Sequence, residues 1–120
     1  MDIIITILLA ALLIYLSMRF MPAKDVKNIS PKELGEYMNN PAYECIDVRT
    51  AREYARGRMQ AFRNMPVGSD FSTLPRDKGI VVLCQSGVRS NQVCKQLVKL
   101  GYTDIINVRR GLNAMKVEKK

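Results

Sequence analysis

The residues best suited to chemistry in this 120-residue chain are a cysteine and an arginine that follow a short apolar run. In order, the segment contains Ile80, Val81, Val82, Leu83, Cys84, Gln85, Ser86, Gly87, Val88, Arg89 and Ser90. The pattern predicts a strand buried on both faces that delivers Cys84 into a loop opening a helix. The loop and helix N–H groups and the Arg89 charge favour an anion there, so we expect Cys84 to act as a thiolate nucleophile.

The other cysteines and the absence of histidine narrow the chemistry further. With no histidine and three cysteines, the chain excludes Cys–His and Ser–His catalysis, zinc sites with histidine and Cys₄ sites, so we expect no metal and no cofactor. The odd cysteine count and the lack of a Cys-x-x-Cys pair favour a reducing compartment over a disulfide framework. Cys45 and Cys94 are expected to be buried, inert thiols, although Cys94 stays open as a resolving thiol. For Cys84, too, an inert core role remains the alternative.

The net charge of +8 favours anionic partners. Arginines concentrate between residues 49 and 63, at Arg49, Arg52, Arg56, Arg58 and Arg63. They form either a solvated face or a basic rim that attracts an anionic substrate. Because they lack interleaved aromatic residues and any recognition motif, we expect no nucleic-acid partner.

Several further elements are predicted to position Cys84. Strands are expected over 26–29, 43–48, 61–66 and 104–108 and helices over 30–39 and 50–56, with another after Ser90. Ser30 with Glu33 predicts a capping box at one helix start, and Thr50 predicts a cap at the next. Strands that alternate with helices predict an α/β fold, a parallel sheet with helices on both faces, and Cys84 at its carboxyl edge. Asp47, in an apolar strand that ends at the same edge, needs a partner, and Arg89 or loop amides are the candidates.

The first residues of the chain predict a membrane segment. Residues 3–18 are uncharged and nearly all apolar, and a helix extended to residue 21 reaches about 28 Å, close to the roughly 30 Å hydrocarbon layer. We therefore expect a transmembrane anchor over 1–21, a linker over 22–25, one domain over 26–116 and a basic tail over 117–120. Cations that follow the apolar run predict a single-pass cell-membrane protein with its domain on the cytoplasmic side. A cleaved signal peptide is the alternative, but no Lys or Arg precedes the apolar core.

The Cys84-x-x-Gly87-x-Arg89 segment, after a Val-rich strand and before a helix, resembles the active-site loop of rhodanese-like sulfurtransferases. Further segments agree with that family in the same order, namely Ile46-Asp47-Val48-Arg49, Glu53-Tyr54, Asn64-Met65-Pro66, Leu74-Pro75 and Asp77-Lys78. The resemblance covers about Val26 to Met115 and implies a five-stranded parallel sheet.

The resemblance also implies a reaction. Cys84 would take a sulfane sulfur from a small anionic donor such as thiosulfate, hold it as a persulfide and pass it to a thiol or protein acceptor. Loop residues would cradle that sulfur, namely Gln85, Ser86, Gly87, Val88, Arg89 and Ser90. Gly87 would permit a tight loop with positive φ. Arg89 would tie the loop to Asp47, and Arg49 would help to bind the donor.

Two alternatives remain open beside this reading. Phosphate or arsenate chemistry on a related scaffold uses a Cys-x₅-Arg loop, whereas four residues separate Cys84 from Arg89, which fits one sulfur atom better. The second alternative is a membrane-tethered persulfide carrier or adaptor with little turnover of its own. The chain also departs from the family pattern, with Arg58 after Gly57, no tryptophan, and Arg110 before Gly111 where Gly-Gly is common. These departures bear on substrate preference and on the packing of the terminal segment more than on the reaction.

Overall fold

The computed structural model describes residues 2–20 and 26–113, in which helices and strands alternate. In chain order, the elements are α1 (Asp2–Phe20), β1 (Val26–Ile29), a 3₁₀ turn (Pro31–Glu33), α2 (Gly35–Met38), β2 (Tyr43–Asp47), α3 (Ala51–Arg56), β3 (Arg63–Asn64), a second 3₁₀ turn (Phe71–Thr73), β4 (Gly79–Leu83), α4 (Val88–Lys99) and β5 (Ile105–Val108). Residues 111–113 begin a further helical turn.

The strands form one parallel sheet in the order β1-β5-β4-β2-β3, which confirms the predicted five-stranded parallel α/β sheet. β4 lies in the middle because it has no polar face, and all of its residues are buried. Val82 packs in one apolar core with Leu97 of α4, and Val81 packs in the opposite core with Tyr37 of α2. Helices therefore cover both faces of the sheet, as predicted.

The carboxyl ends of β2 and β4 lie side by side. Asp47 is in register with Leu83, and Cys84 is the next residue along the chain. Parallel strands present their carboxyl ends at one edge of the sheet, which is where open α/β folds place their functional groups.

The chain that follows β5 returns to this same edge. Leu112 donates its N–H to the carbonyl oxygen of Cys84 at 3.0 Å, and Asn113 donates to the carbonyl oxygen of Gln85 at 2.9 Å. Gly111 permits this approach because a Cβ at that position would lie 2.0 Å from the carbonyl oxygen of Cys84. Residues 110–113, which we call the C-terminal clamp, therefore fix the backbone of the Cys84 loop.

The two predicted helix caps have different outcomes. Ser30 makes no side-chain cap, and the chain forms a 3₁₀ turn before the short α2, so the predicted capping box with Glu33 is wrong. Pro31 at the start of that turn sets φ without help from a cap. At α3 the prediction is confirmed, because the Thr50 hydroxyl oxygen accepts the Glu53 N–H while the Glu53 carboxylate accepts the Thr50 N–H.

The predicted transmembrane anchor is wrong. Within the described ranges, 2–20 and 26–113, no helix combines the length and the apolar character that a bilayer crossing requires. α1 covers Asp2–Phe20, and charged residues lie near both of its ends, at Asp2 and Arg19. The predicted cell-membrane localisation, cytoplasmic orientation and membrane partner all depended on this anchor, so they are wrong as well. The predicted linker over 22–25 and basic tail over 117–120 lie outside the described residues.

Candidate active site

Cys84 is the first residue after β4, and its side chain is fully buried in the core that contains Val82 and Cys94. Aliphatic side chains are not its only neighbours, because the Gly87 N–H donates a hydrogen bond to Sγ at 2.9 Å. A main-chain donor aimed at sulfur stabilises negative charge there. This contact distinguishes Cys84 from a cysteine that only fills space.

Gly87 is the residue that turns the loop. Its φ of 98° lies in the left-handed region, directly before α4 begins at Val88. A Cβ at Gly87 would lie 3.1 Å from the backbone nitrogen of Arg110, so the position is restricted by both conformation and space. Gly87 thus adopts the positive φ that the sequence allows at this position.

Ser90 is the second polar contact of the sulfur. Its buried Oγ lies 3.4 Å from Sγ and accepts from the thiol, while its own O–H donates to the carbonyl oxygen of Gly87 at 3.1 Å. A hydroxyl can rotate to donate to sulfur once the thiol is ionised. In addition, the first N–H groups of α4 have no carbonyl partner within their own helix and point towards its N-terminal end.

The other predicted loop residues face outward. The side chains of Ser86 and Val88 are exposed, whereas Cys84 is fully buried. Gln85 donates its side-chain amide to Asn113 Oδ1 at 2.8 Å. That bond adds a side-chain contact to the C-terminal clamp.

Arg89 is held by Glu53, a residue that the sequence analysis did not propose for the site. The guanidinium donates to both carboxylate oxygens, at 2.6 and 3.0 Å. These bonds, with the N–H of Thr50, lower the pKa of Glu53 to about 2, and the same pair raises the pKa of Arg89. The predicted tie between Arg89 and Asp47 is wrong, because each is hydrogen bonded elsewhere. Glu53 follows Thr50 with the Thr-x-x-Glu spacing of a capping box, and this spacing could have placed Glu53 at the start of α3 from the sequence.

Asp47 finds its partner two residues along the chain. Arg49 donates Nε and Nη2 to the Asp47 carboxylate at 2.9–3.1 Å, and both side chains are buried. Arg49 also donates Nη2 to the carbonyl oxygen of Gly57 at 2.7 Å. The predicted role of Arg49 in donor binding is therefore not supported by its position, since its guanidinium turns back to join β2 to the end of α3.

Two of the remaining arginines of residues 49–63 make contacts with neighbouring side chains. Arg63 pairs with Glu44 at 3.3 Å, and the guanidinium of Arg58 lies 5.1 Å from the ring centroid of Tyr54. Arg52 and Arg56 are exposed on α3. Most of the cluster therefore has structural contacts of its own.

Cys45 and Cys94 are both buried, as predicted. Burial raises the pKa of Cys45 to about 11 and that of Cys94 to about 12. Both therefore stay protonated and weakly nucleophilic near neutral pH. Across residues 2–20 and 26–113, no group of three or more Cys, Asp or Glu side chains could hold a metal ion.

The chain is similar to known proteins in sequence and in fold. Residues 30–118 match the rhodanese-like domain family. The putative sulfurtransferase YtwF of Bacillus subtilis (strain 168) is 34% identical over 100 residues, which cover 80% of this chain and 96% of YtwF. The thiosulfate sulfurtransferase GlpE of Actinobacillus pleuropneumoniae serotype 5b (strain L20) is 28% identical over 88 residues, covering 71% of this chain and 82% of GlpE. A crystal structure of a rhodanese-related protein from Thermoplasma volcanium superimposes with a TM-score of 0.67 at 30% identity, covering 77% of this chain and 92% of that one. This chain belongs to the rhodanese-like domain family.

Proposed function

We propose that this chain is a sulfurtransferase that carries a sulfane sulfur on Cys84. The single observation that carries the proposal is the Gly87 N–H aimed at Sγ from 2.9 Å, where the backbone turns into the N-terminus of α4. Membership of the rhodanese-like domain family and relatives named as sulfurtransferases support the same class of reaction.

The first step loads the sulfur. The Cys84 thiolate attacks the outer sulfur of a small anionic donor such as thiosulfate, a bond forms between the two sulfurs, and the S–S bond of the donor breaks. Its electron pair leaves with sulfite, so Cys84 becomes a persulfide that carries one negative charge. The Gly87 N–H, the Ser90 hydroxyl and the first N–H groups of α4 are the donors available to that charge.

The second step unloads the sulfur. A thiolate or cyanide attacks the terminal sulfur of the persulfide, the Cys84 S–S bond breaks, and its electron pair returns to Sγ. Donors that stabilise the thiolate help in both steps, because Cys84 is the nucleophile of the first and the leaving group of the second. No cofactor is required for either.

The loop fits sulfur better than phosphate. One left-handed residue, Gly87, turns the backbone so that its N–H meets a single atom, and four residues separate Cys84 from Arg89. A tetrahedral oxyanion needs a wider ring of N–H groups to reach three of its oxygens. We therefore place phosphate and arsenate chemistry second.

The test is turnover by the full chain. We expect thiosulfate and cyanide to give thiocyanate and sulfite with the wild type, and no thiocyanate above background with Cys84→Ser. Hydrolysis of an aryl phosphate faster than this transfer would overturn the proposal. Loading of Cys84 without turnover by cyanide or small thiols would instead identify a persulfide carrier that depends on a partner protein.

A further inference from the structure

Arg110 is the unusual residue of the C-terminal clamp. Among residues 2–20 and 26–113 it is the one non-glycine residue with positive φ, at 61°. Arginine carries a Cβ that is crowded in this conformation, whereas glycine adopts it freely. A glycine would relieve the strain, so a role for the side chain would explain why the chain has an arginine here.

The strained backbone lies against the sulfur-binding loop. A Cβ on Gly87 would be 3.1 Å from the nitrogen and 3.6 Å from the Cα of Arg110, and Gly87 is the residue whose N–H meets Cys84 Sγ. Gly111, the next residue of the clamp, is in close contact with the carbonyl oxygen of Cys84. The position of Arg110 is therefore fixed relative to the sulfur.

The other arginines near Cys84 already hold carboxylates. Arg89 is bound at both guanidinium ends by Glu53, and Arg49 is buried against Asp47. The side chain of Arg110 is exposed at the same edge of the sheet. It is the cation best placed to meet a second negative charge at this site.

We propose that Arg110 binds the sulfonate end of a dianionic sulfur donor such as thiosulfate, an inference that rests on the function proposed above for Cys84. The path from Arg110 Cα through Gly87 to Cys84 Sγ is at most about 10 Å, from the 3.6 Å and 2.9 Å contacts and the bonds between them. An extended arginine places its guanidinium about 6 Å from Cα at these bond lengths. Because the sulfonate oxygens of a donor lie farther out than the sulfur that touches Sγ, the guanidinium can reach them.

The experiment measures steady-state thiocyanate formation by the full chain with Arg110→Gln. We expect KM for thiosulfate to rise about fivefold, the loss of one solvent-exposed charge pair, with kcat within about twofold. Methanethiosulfonate, a donor with one charge instead of two, should show a smaller rise. Arg110→Lys keeps the charge and should restore most of the affinity for thiosulfate.

Arg109→Gln is the matched control, because Arg109 is exposed next to Arg110 and its backbone N–H bonds to Ile29 rather than to the loop. It should leave KM within about twofold of the wild type, as expected for a screened charge without a direct contact. An equal rise in both variants would assign the effect to general positive charge and overturn the inference. Wild-type KM in Arg110→Gln would overturn it while leaving the proposed function intact. A wild type without turnover or loading would instead refute the proposed function, and this inference with it.

Discussion

Gly111→Ala is the change that most directly tests how the C-terminal clamp supports the Cys84 loop. The added Cβ would lie 2.0 Å from the carbonyl oxygen of Cys84, 2.8 Å from its carbonyl carbon and 3.0 Å from that of Gln85. All three are backbone atoms, so no flexible side chain can move aside. The loop and the clamp must therefore separate by about 1 Å. Overpacking of this kind lowers the free energy of unfolding by about 1–3 kcal/mol.

The backbone conformation adds to this cost. Gly111 has φ of 53°, where an alanine loses about 1 kcal/mol relative to glycine. We therefore expect the free energy of unfolding to fall by about 3 kcal/mol in total. A displacement of about 1 Å at a reacting atom can also reduce turnover about 100-fold, so thiocyanate formation should fall well beyond what the loss of stability explains.

Urea unfolding and thiosulfate–cyanide turnover on the same preparations provide the measurement. Gly35→Ala is the matched glycine control, because a Cβ at the start of α2 meets nothing within 4 Å. It should leave turnover unchanged and stability unchanged or raised by up to about 1 kcal/mol. If Gly111→Ala keeps the stability and turnover of the wild type, the clamp does not hold the loop in the way described.

Two further substitutions test the charged groups. Glu53→Gln keeps an acceptor for the Thr50 N–H but removes the charge that pairs with Arg89, and we expect it to cost about 1 kcal/mol at pH 7 because both side chains are partly exposed. With the pKa of Glu53 lowered from 4.5 to about 2, the difference between wild type and variant should be constant above about pH 5 and shrink as the pH falls towards 2. Urea unfolding at pH 7 and pH 3 measures it, and an undiminished difference at pH 3 would contradict the ion pair. Arg49→Leu leaves the buried Asp47 carboxylate without a cation, so thermal unfolding should show a loss of about 3–5 kcal/mol. A loss below about 1 kcal/mol would mean that water or other donors replace Arg49.

The sheet was predictable because its signals are local. The uninterrupted apolar run before Cys84 identifies a central parallel strand, and its length and alternation with helices define the layers. Thr50 with Glu53 forms a cap within four residues, so it too follows from spacing. Ser30 offered the same kind of signal and failed, because the chain there forms a 3₁₀ turn and α2 begins only at Gly35.

The charge pairs were not predictable in the same way. Asp47 could have met either arginine at the sheet edge, and only the direction of the side chains after β2 decides that Arg49 folds back on it while Arg89 meets Glu53. The backbone of the Cys84 loop also depends on residues far along the chain, because the C-terminal clamp returns to the carbonyl oxygen of Cys84 from beyond β5. At the N-terminus, length and hydrophobicity suggested a membrane span, but no described helix combines the length and the apolar character that such a span requires.

The central claim is that one sulfur atom is carried on Cys84, and peptide-level mass spectrometry of the full chain after incubation with thiosulfate tests it most directly. We predict a gain of about 32 Da on the peptide that contains Cys84, removed by cyanide and absent in Cys84→Ser. Cys45 and Cys94, whose pKa values are raised by burial to about 11 and about 12, should stay unmodified. Sulfur found on either of those residues, or on none of the three, would contradict the account.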